Sequence, residues 1–253
     1  MALPEDQDGV LTDYYDWLFT DASDVPHIIQ AATQCPPCES PIVEWGSGTG
    51  RVTEPLAKEL GLTLALDADA RMLHQLKRRI KNQGTATEIL PAVADMTSDW
   101  PVQNARGIVI AFNTLRLLNS REGLRKFLSR CESVLPPGGL LIASLTSARS
   151  ALAGTVTRRE NIPGPKGPMN LTVQRENAGD GQGLLIHYRL EVGSSLLRAT
   201  WHCLDFGLVG LIQLAASAGL DIVSVVDLDG FVTRQQPTDP DHYVVTFSKG
   251  KHQ

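Results

Sequence analysis

The sequence is poor in several features that would place a protein quickly. It holds four cysteines in 253 residues, too few for a secreted disulfide scaffold and typical of a reducing compartment, so the expected location is cytoplasmic. Cys35 and Cys38 have the spacing of a redox or zinc pair. Two prolines lie between them and no second ligand pair follows, so the pair reads as linker and no metal is expected. Positive charge is not in excess: 23 Lys and Arg against 28 Asp and Glu leave a net charge of −5, which offers nucleic-acid phosphates no footprint. The one basic cluster, Lys77-Arg78-Arg79 with Lys81, falls in the last turn of a predicted helix, where cations suit the dipole. No apolar run reaches the length of a bilayer span. The first residues are acidic and lack the apolar segment of a secretory signal. No internal repeat or low-complexity tract is visible. These absences leave a chain of the size of one α/β domain with additions, expected to act on a small molecule rather than on nucleic acid or membrane.

Glycine is plentiful, with 22 residues, and three of them share one turn. Ile42-Val43-Glu44-Trp45-Gly46-Ser47-Gly48-Thr49-Gly50-Arg51 reads as a buried strand, a glycine turn and the start of a helix. Glycines at alternate positions let a backbone approach a ligand where a side chain would collide. A dinucleotide fingerprint needs its third glycine five positions after its first, for close packing of helix on strand. Arg51 stands there instead, and Glu44 inside the strand is foreign to that turn. A second apolar run, 62–66, ends at Asp67, about 20 residues past the first glycine, where ribose-binding acids sit in nucleotide folds. A third, 89–94, ends at Asp95-Met96, and a fourth, 107–112, runs into Asn113-Thr114. Alternating strands and helices from Ile42 to Ile142 predict an α/β fold with a parallel sheet covered on both faces. Residues 147–169, rich in Gly, Pro, Ser and Arg, read as a loop. Three period-2 segments follow (171–176, 184–192 and 196–205), joined by turn-forming stretches at 178–183 and 193–195, and predict an antiparallel meander. The apolar stretch 206–220 suits a packed helix flowing into a strand.

The pattern acid-x-Gly-x-Gly-x-Gly at 44–50, with Leu66-Asp67-Ala68-Asp69-Ala70-Arg71-Met72-Leu73, Asp95-Met96, Asn113-Thr114 and Leu135-Pro136-Pro137-Gly138-Gly139-Leu140, resembles the class I S-adenosylmethionine-dependent methyltransferases. The likeness covers about residues 42–146 and is closest to the small-molecule, glycine N-methyltransferase-like members. It implies a Rossmann-like sheet of seven strands in order 3-2-1-4-5-7-6, with strand 7 antiparallel, an N-terminal helical lid and the meander inserted after strand 5. The expected divisions are a lid at 1–40, a core at 41–146, the insertion at 147–205 and a return to the core at 206–253. The resemblance implies S-adenosylmethionine as methyl donor and S-adenosylhomocysteine as product. It implies a cofactor site of Tyr15, Glu44, Gly46, Ser47, Gly48, Gly50, Arg51, Asp67, Ala68, Met72, Asp95, Met96 and Phe112. Trp45 is bulky for its place; it fills a gap in the sheet or alters the methionine pocket.

The expected activity is methyl transfer by in-line displacement to nitrogen or oxygen of a small molecule, of the kind found in natural-product metabolism. Asn113 and Tyr14 are the expected substrate contacts, though Tyr14 and Tyr15 can equally staple their helix to the domain. Alternation puts Leu184, Ile186, Tyr188, Leu190 and Val192 on one face of a meander strand and His187, Arg189 and Glu191 on the other. Arg198, Thr200 and His202 share a face on the next. That polar surface either is solvated or roofs the site, in which case His187 and Arg198 touch substrate and His187 or His202 is the candidate general base. The alternatives are a non-catalytic S-adenosylmethionine-binding regulator and a dinucleotide-dependent oxidoreductase. A meander in this position can pair edges between subunits, so a homo-oligomer is one expected assembly.

Overall fold

A computed structural model describes residues 5–6, 10–83, 88–98, 100–118, 120–147, 154–179, 183–228 and 241–250. Two sheets carry the structure, and two short helices lie at the N-terminal end. After β1 (Glu5–Asp6) come α1 (Val10–Leu18) and α2 (Val25–Ala32). On α1, Leu11, Tyr14 and Leu18 are buried while Asp13, Asp16 and Trp17 are exposed, the single apolar stripe of a helix packed on one side.

The larger sheet holds β2 (Ile42–Trp45), β3 (Thr63–Asp67), β4 (Ile89–Val93), β5 (Gly107–Ile110), β6 (Leu140–Thr146), β11 (Leu220–Asp227) and β12 (His242–Lys249). Numbered in chain order, its seven strands stand 3-2-1-4-5-7-6, as expected, and the last is antiparallel to both of its neighbours. Every residue of β2 and β5 is buried, as in parallel strands covered on both faces. The cover is α2, α3 (Thr53–Leu60), α4 (Ala70–Gln83), α5 (Arg121–Val134) and α6 (Leu208–Ser217). On α5, Ser120 accepts from Gly123 N at 3.0 Å as an N-cap. Leu124, Phe127, Leu128, Cys131 and Val134 then repeat at helical spacing and are buried. Cys35 lies against β5: a Cβ on Gly107 would come within 2.5 Å of its Sγ. Burial pushes that thiol up to about 11, so it is packing material, not a reactive centre.

The smaller sheet is antiparallel throughout, in order β1-β10-β9-β8-β7, with β7 at Val156–Ile162, β8 at Met169–Asn177, β9 at Gly183–Val192 and β10 at Ser195–Leu204. The expected meander is there, with two strands that its sequence did not announce. The segment 147–169, expected to be a loop, contains β7. Its residues Val156-Thr157-Arg158-Arg159-Glu160-Asn161-Ile162 have no apolar alternation, and all but Ile162 are exposed. An edge strand needs only backbone pairing, and its charges discourage further pairing. Part of the expected 178–183 turn lies outside the described residues. The inner face packs Leu171, Val173, Tyr188, Leu190, Val192 and Ala199 against Leu11, Tyr14 and Leu18 of α1. At about 1.5–3 kcal/mol for each fully buried large apolar side chain, this cluster is what seats the second sheet on the first helix. Among the described residues no helix is long and apolar enough to cross a membrane.

Candidate functional site

A cavity of about 370 Å³ opens at the C-terminal ends of β2, β3, β4 and β5, where open α/β sheets place their ligand crevices. The glycine turn forms its floor. Gly46, Gly48 and Gly50 have φ of +68°, +54° and +97°, in the region that side chains rarely adopt. A Cβ on Gly46 would lie 2.3 Å from Thr114 Cγ2, and one on Gly50 would lie 2.4 Å from Leu76 Cδ1. A Cβ on Gly48 would meet nothing within 4 Å; it would enter the open space of the cavity. Asp67, at the end of β3, accepts from the N–H groups of Gly48 and Asp69, each at 2.8 Å. Burial pushes its carboxyl above the usual range, against these bonds. Asp95 accepts from Thr97 N at 2.8 Å and Thr97 Oγ1 at 2.7 Å.

Helix α1 covers this cavity and is tied to it by polar contacts. Thr12 Oγ1 donates to Asp69 Oδ2 at 3.2 Å, Gln75 Nε2 donates to the Thr12 carbonyl at 2.8 Å, and Thr49 Oγ1 donates to Asp16 Oδ1 at 2.5 Å. Tyr15 faces the cavity. Burial pushes its phenol up to about 12, so it stays neutral as a donor through the ordinary pH range. Trp45 also lines the cavity, and its indole packs on Trp100 with centroids 4.9 Å apart and meets Phe127 edge-on at 6.1 Å. Its bulk fills the layer between sheet and α5.

A second cavity, of about 490 Å³, lies beside the first between the two sheets. Phe112, Leu117 and Trp201 line both. Phe19 joins this wall, edge-on to Phe112 at 5.8 Å and stacked on Trp201 at 5.9 Å. The wall rests on a strained elbow. Phe112 and Asn113 have φ of +52° and +64°, which non-glycine residues hold only when their surroundings impose it. Phe112 N donates to Ser144 Oγ at 2.7 Å, and Ser144 Oγ–H donates to Asp24 Oδ2 at 2.5 Å. Arg51 grips the same Asp24 carboxylate with both ends of its guanidinium and lies over the Phe112 ring, 5.0 Å from its centroid. Asn113 Oδ1 accepts from Thr146 N at 2.8 Å and from Thr146 Oγ1 at 3.1 Å. A buried ion pair thus anchors the elbow through one hydroxyl.

Of the residues expected to hold the cofactor, Tyr15, Gly46, Gly48, Asp67, Ala68, Met72, Asp95, Met96 and Phe112 line the first cavity. Glu44, Ser47, Gly50 and Arg51 lie behind it. Glu44 is 1% exposed, accepts from Thr53 Oγ1 at 2.5 Å, and is pushed up to about 8, chiefly by burial. Ser47 N donates to the Leu66 carbonyl at 3.0 Å, locking the turn to β3. Asn113 lines the second cavity. Tyr14 is buried in the apolar cluster between α1 and the second sheet and stands in neither cavity wall, so stapling is the use the structure makes of it. His187, His202 and Arg198 also line neither cavity. The alternation was placed correctly, but the face turned inward is the apolar one. His187 points away from the cavities, with Nε2 3.0 Å from Glu176 and Nδ1 2.9 Å from Thr200, and Arg198 is exposed.

Sequence reasoning missed Trp201 and Phe19, whose aromatic character in an otherwise aromatic-poor chain was the available signal. It also missed Asp24, Arg116, Ser144, Arg159, Arg175 and His242, all in the second cavity wall. No local pattern marks them. Among the described residues no group of three or more His, Cys, Asp or Glu side chains could hold a metal ion.

Residues 42–139 match a family model described as a methyltransferase domain. No curated protein sequence matches the chain. Among solved structures it is similar to the CcbJ methyltransferase from Streptomyces caelestis, with 19% identity and a TM-score of 0.78 over 95% of this chain and 96% of that one. It is similar to an S-adenosylmethionine-dependent methyltransferase from Clostridium acetobutylicum, with 14% identity and a TM-score of 0.78 over 96% and 99%. It is also similar to CalS10, an amino pentose methyltransferase from Micromonospora echinaspora, with 14% identity and a TM-score of 0.72 over 95% and 96%. At these identities the likeness is one of fold, and it extends through both sheets.

Proposed function

With residues 42–139 matched as a methyltransferase domain, we propose that the chain is an S-adenosylmethionine-dependent methyltransferase acting on nitrogen or oxygen of a small molecule. One observation carries this reading: two cavities of about 370 and 490 Å³ share a wall of Phe112, Leu117 and Trp201. A donor and an acceptor therefore have separate chambers that meet at one point. The residues of the first chamber suit the donor. The open space at Gly48 takes a backbone-hugging ligand, Asp67 offers a carboxylate to ribose hydroxyls, and Met72 and Met96 offer polarizable surface to an adenine. When bound, S-adenosylmethionine supplies a methyl group already activated on a sulfonium sulfur.

The chain's own work is alignment and exclusion of water. Phe112 and Asn113, held by Ser144 and Thr146, fix the aperture between chambers. The rings of Tyr15, Phe112 and Trp201 give it π-faces that favour a cationic sulfur over water. An amine acceptor enters neutral and needs little help, whereas a hydroxyl needs a base. His242 at the rim of the second chamber, near Asp21, is the histidine placed to serve one. Small-molecule chemistry is supported by several proteins of this fold: an amino pentose methyltransferase involved in calicheamicin biosynthesis, a sugar N-methyltransferase and a glycopeptide N-methyltransferase. A natural-product acceptor is proposed for this chain on that basis.

The test is calorimetry with S-adenosylmethionine, S-adenosylhomocysteine and NADH, followed by methyl-transfer assays on amine and phenol libraries. Tight binding of the first two with none of NADH supports the reading. Binding of NADH alone refutes it, and donor binding without turnover on any acceptor points to the regulatory alternative.

A further inference from the structure

The second sheet treats its charges differently on its two faces. Outside, they pair or stand in water: Arg189 pairs with Glu191 at 2.9 Å, Glu176 lies 3.0 Å from His187 Nε2, and Arg158 and Arg198 are exposed. Inside, the strand register puts Leu171, Val173, Tyr188, Ala199 and Trp201 on one surface with two charged residues, Arg159 and Arg175. Both line the second cavity. Among the described residues neither has a carboxylate within ion-pair distance. Arg159 spends Nη1 on the Leu18 carbonyl at 2.7 Å, and Arg175 reaches only Thr157 Oγ1 at 3.4 Å.

The cavity's own carboxylates are committed elsewhere. Asp24 is held by Arg51 and Ser144. Asp21 turns back to accept from Ser23 N at 2.9 Å, which holds its carboxyl below the usual range. A third arginine, Arg116, is buried in the same wall but already committed: it donates to the Leu204 and Thr146 carbonyls at 3.2 and 2.7 Å, lies over the Phe206 ring and pairs with Asp205 at 3.9 Å. Arg159 is exposed and Arg175 half-buried at the cavity wall, so both guanidinium groups stay hydrated without a partner and are open to an anion that enters the cavity. Arginine's planar fork suits carboxylate and phosphoryl oxygens.

Position adds a dimension. Trp201, Ile186 and Arg175 stand in one row across β10, β9 and β8. At about 4.8 Å per strand, the backbone of Arg175 is about 10 Å from that of Trp201, in the wall where the chambers meet. The surface between is apolar and aromatic, with Ile186 and Tyr188.

We propose that Arg159 and Arg175 bind an anionic oxygen group of the acceptor, a carboxylate or a phosphoryl group, while the atom that receives the methyl lies at the wall where the chambers meet, two strands across the sheet from Arg175. The acceptor is then an elongated molecule with an apolar or aromatic body, a nucleophile at one end and an acid at the other. This assignment rests on the methyltransferase reading, and it identifies the class of molecule that the second chamber selects.

Calorimetry on the full chain loaded with S-adenosylhomocysteine tests it, with 4-hydroxycinnamate, its neutral amide and phenyl phosphate as probes. We expect at least one anion to bind about tenfold or more tighter than the amide. Whichever anion prevails distinguishes carboxylate from phosphoryl. Arg159→Gln and Arg175→Gln should each remove most of that preference, Arg175→Lys should keep part of it, and the affinity for S-adenosylhomocysteine should not change. Equal binding of anion and amide, preference retained in both glutamine variants, or binding of none of the probes overturns the proposal while leaving the donor site standing. Failure of S-adenosylhomocysteine itself to bind strikes the methyltransferase reading, and the proposal falls with it.

Discussion

Replacing Asp24 by alanine is the perturbation that tests the anchor of the elbow most directly. Asp24 is 5% exposed and its side chain holds three donors, two from Arg51 and one from Ser144. Its loss strands the Arg51 guanidinium with a single backbone carbonyl, that of Asp21 at 3.2 Å. Breaking a buried ion pair by removing one partner costs about 3–5 kcal/mol. Arg51 keeps 19% of its side-chain surface, so water softens the loss and the lower end, about 3 kcal/mol, applies. The orphaned Ser144 hydroxyl adds about 1 kcal/mol. A total of about 4 kcal/mol is a large part of the about 5–15 kcal/mol that holds a domain. It should lower Tm by about 8–16 °C.

Thermal unfolding of Asp24→Ala, Arg51→Ala and the double variant measures the pair term. The double variant should be less destabilised than the sum of the singles by at least about 1 kcal/mol, because either single change already breaks the contact. Asp24→Asn, which keeps an acceptor for Ser144, should fall between wild type and Asp24→Ala. Additive effects, or an Asp24→Ala protein within about 1 kcal/mol of wild type, would refute the argument that this pair carries the elbow.

Gly46→Ala puts a Cβ 2.3 Å from Thr114 Cγ2 at a φ of +68°. Strain of about 1–3 kcal/mol at the cavity floor should weaken S-adenosylhomocysteine binding about tenfold or more by calorimetry, while Gly48→Ala, at a φ of +54° but with no atom in its way, adds backbone strain without a clash and otherwise acts through the ligand. Glu44 should make stability depend on pH. Its folded value, about 8, lies above the ordinary 4.5, so its contribution is fully present below about 4.5 and is lost as pH rises through about 8. Glu44→Gln, which still accepts from Thr53, should flatten that decline in urea titrations, and an unchanged slope would show that Glu44 is ionised in the fold. His187→Ala and His202→Ala should keep turnover well above the about 100-fold loss expected on removing a general base; a loss of that size would bring the outer face of the meander into the chemistry.

The first chamber was legible because its glycine turn and its two acids each stand at or just past the end of a strand. Once Ile42–Trp45 is a strand, Gly46 and Gly48 must lie at its C-terminal edge, and Asp67 and Asp95 occupy the same edge for the same reason. Local sequence therefore determines position there, and a parallel sheet aligns the edges. Strand β7 could not be read this way. Its pairing is through backbone, and its exposed charged residues carry no period that distinguishes an edge strand from a loop.

The second chamber resists sequence reading for a different physical reason. Its contacts join residues far apart in the chain: Ser144 and Asp24 are 120 positions apart, Arg116 and the Leu204 carbonyl 88, and Arg159 and the Leu18 carbonyl 141. None of these has a local motif, because what each needs is a partner delivered by an element distant in the chain. Of the two readings left open for the meander's polar face, solvated or roofing the site, the structure takes the solvated one, for a reason of energetics. A sheet that must seat on α1 turns its apolar face inward, so His187 and Arg198 were sent to solvent by the same alternation that revealed the strand. Where that face opens on the second cavity a charge can stay hydrated, and Arg159 is exposed and Arg175 half-buried. Arg159 and Arg175 break the apolar pattern at the one place where the sheet faces a cavity instead of a helix, and a departure of that kind is where selectivity among acceptors is expected to be written.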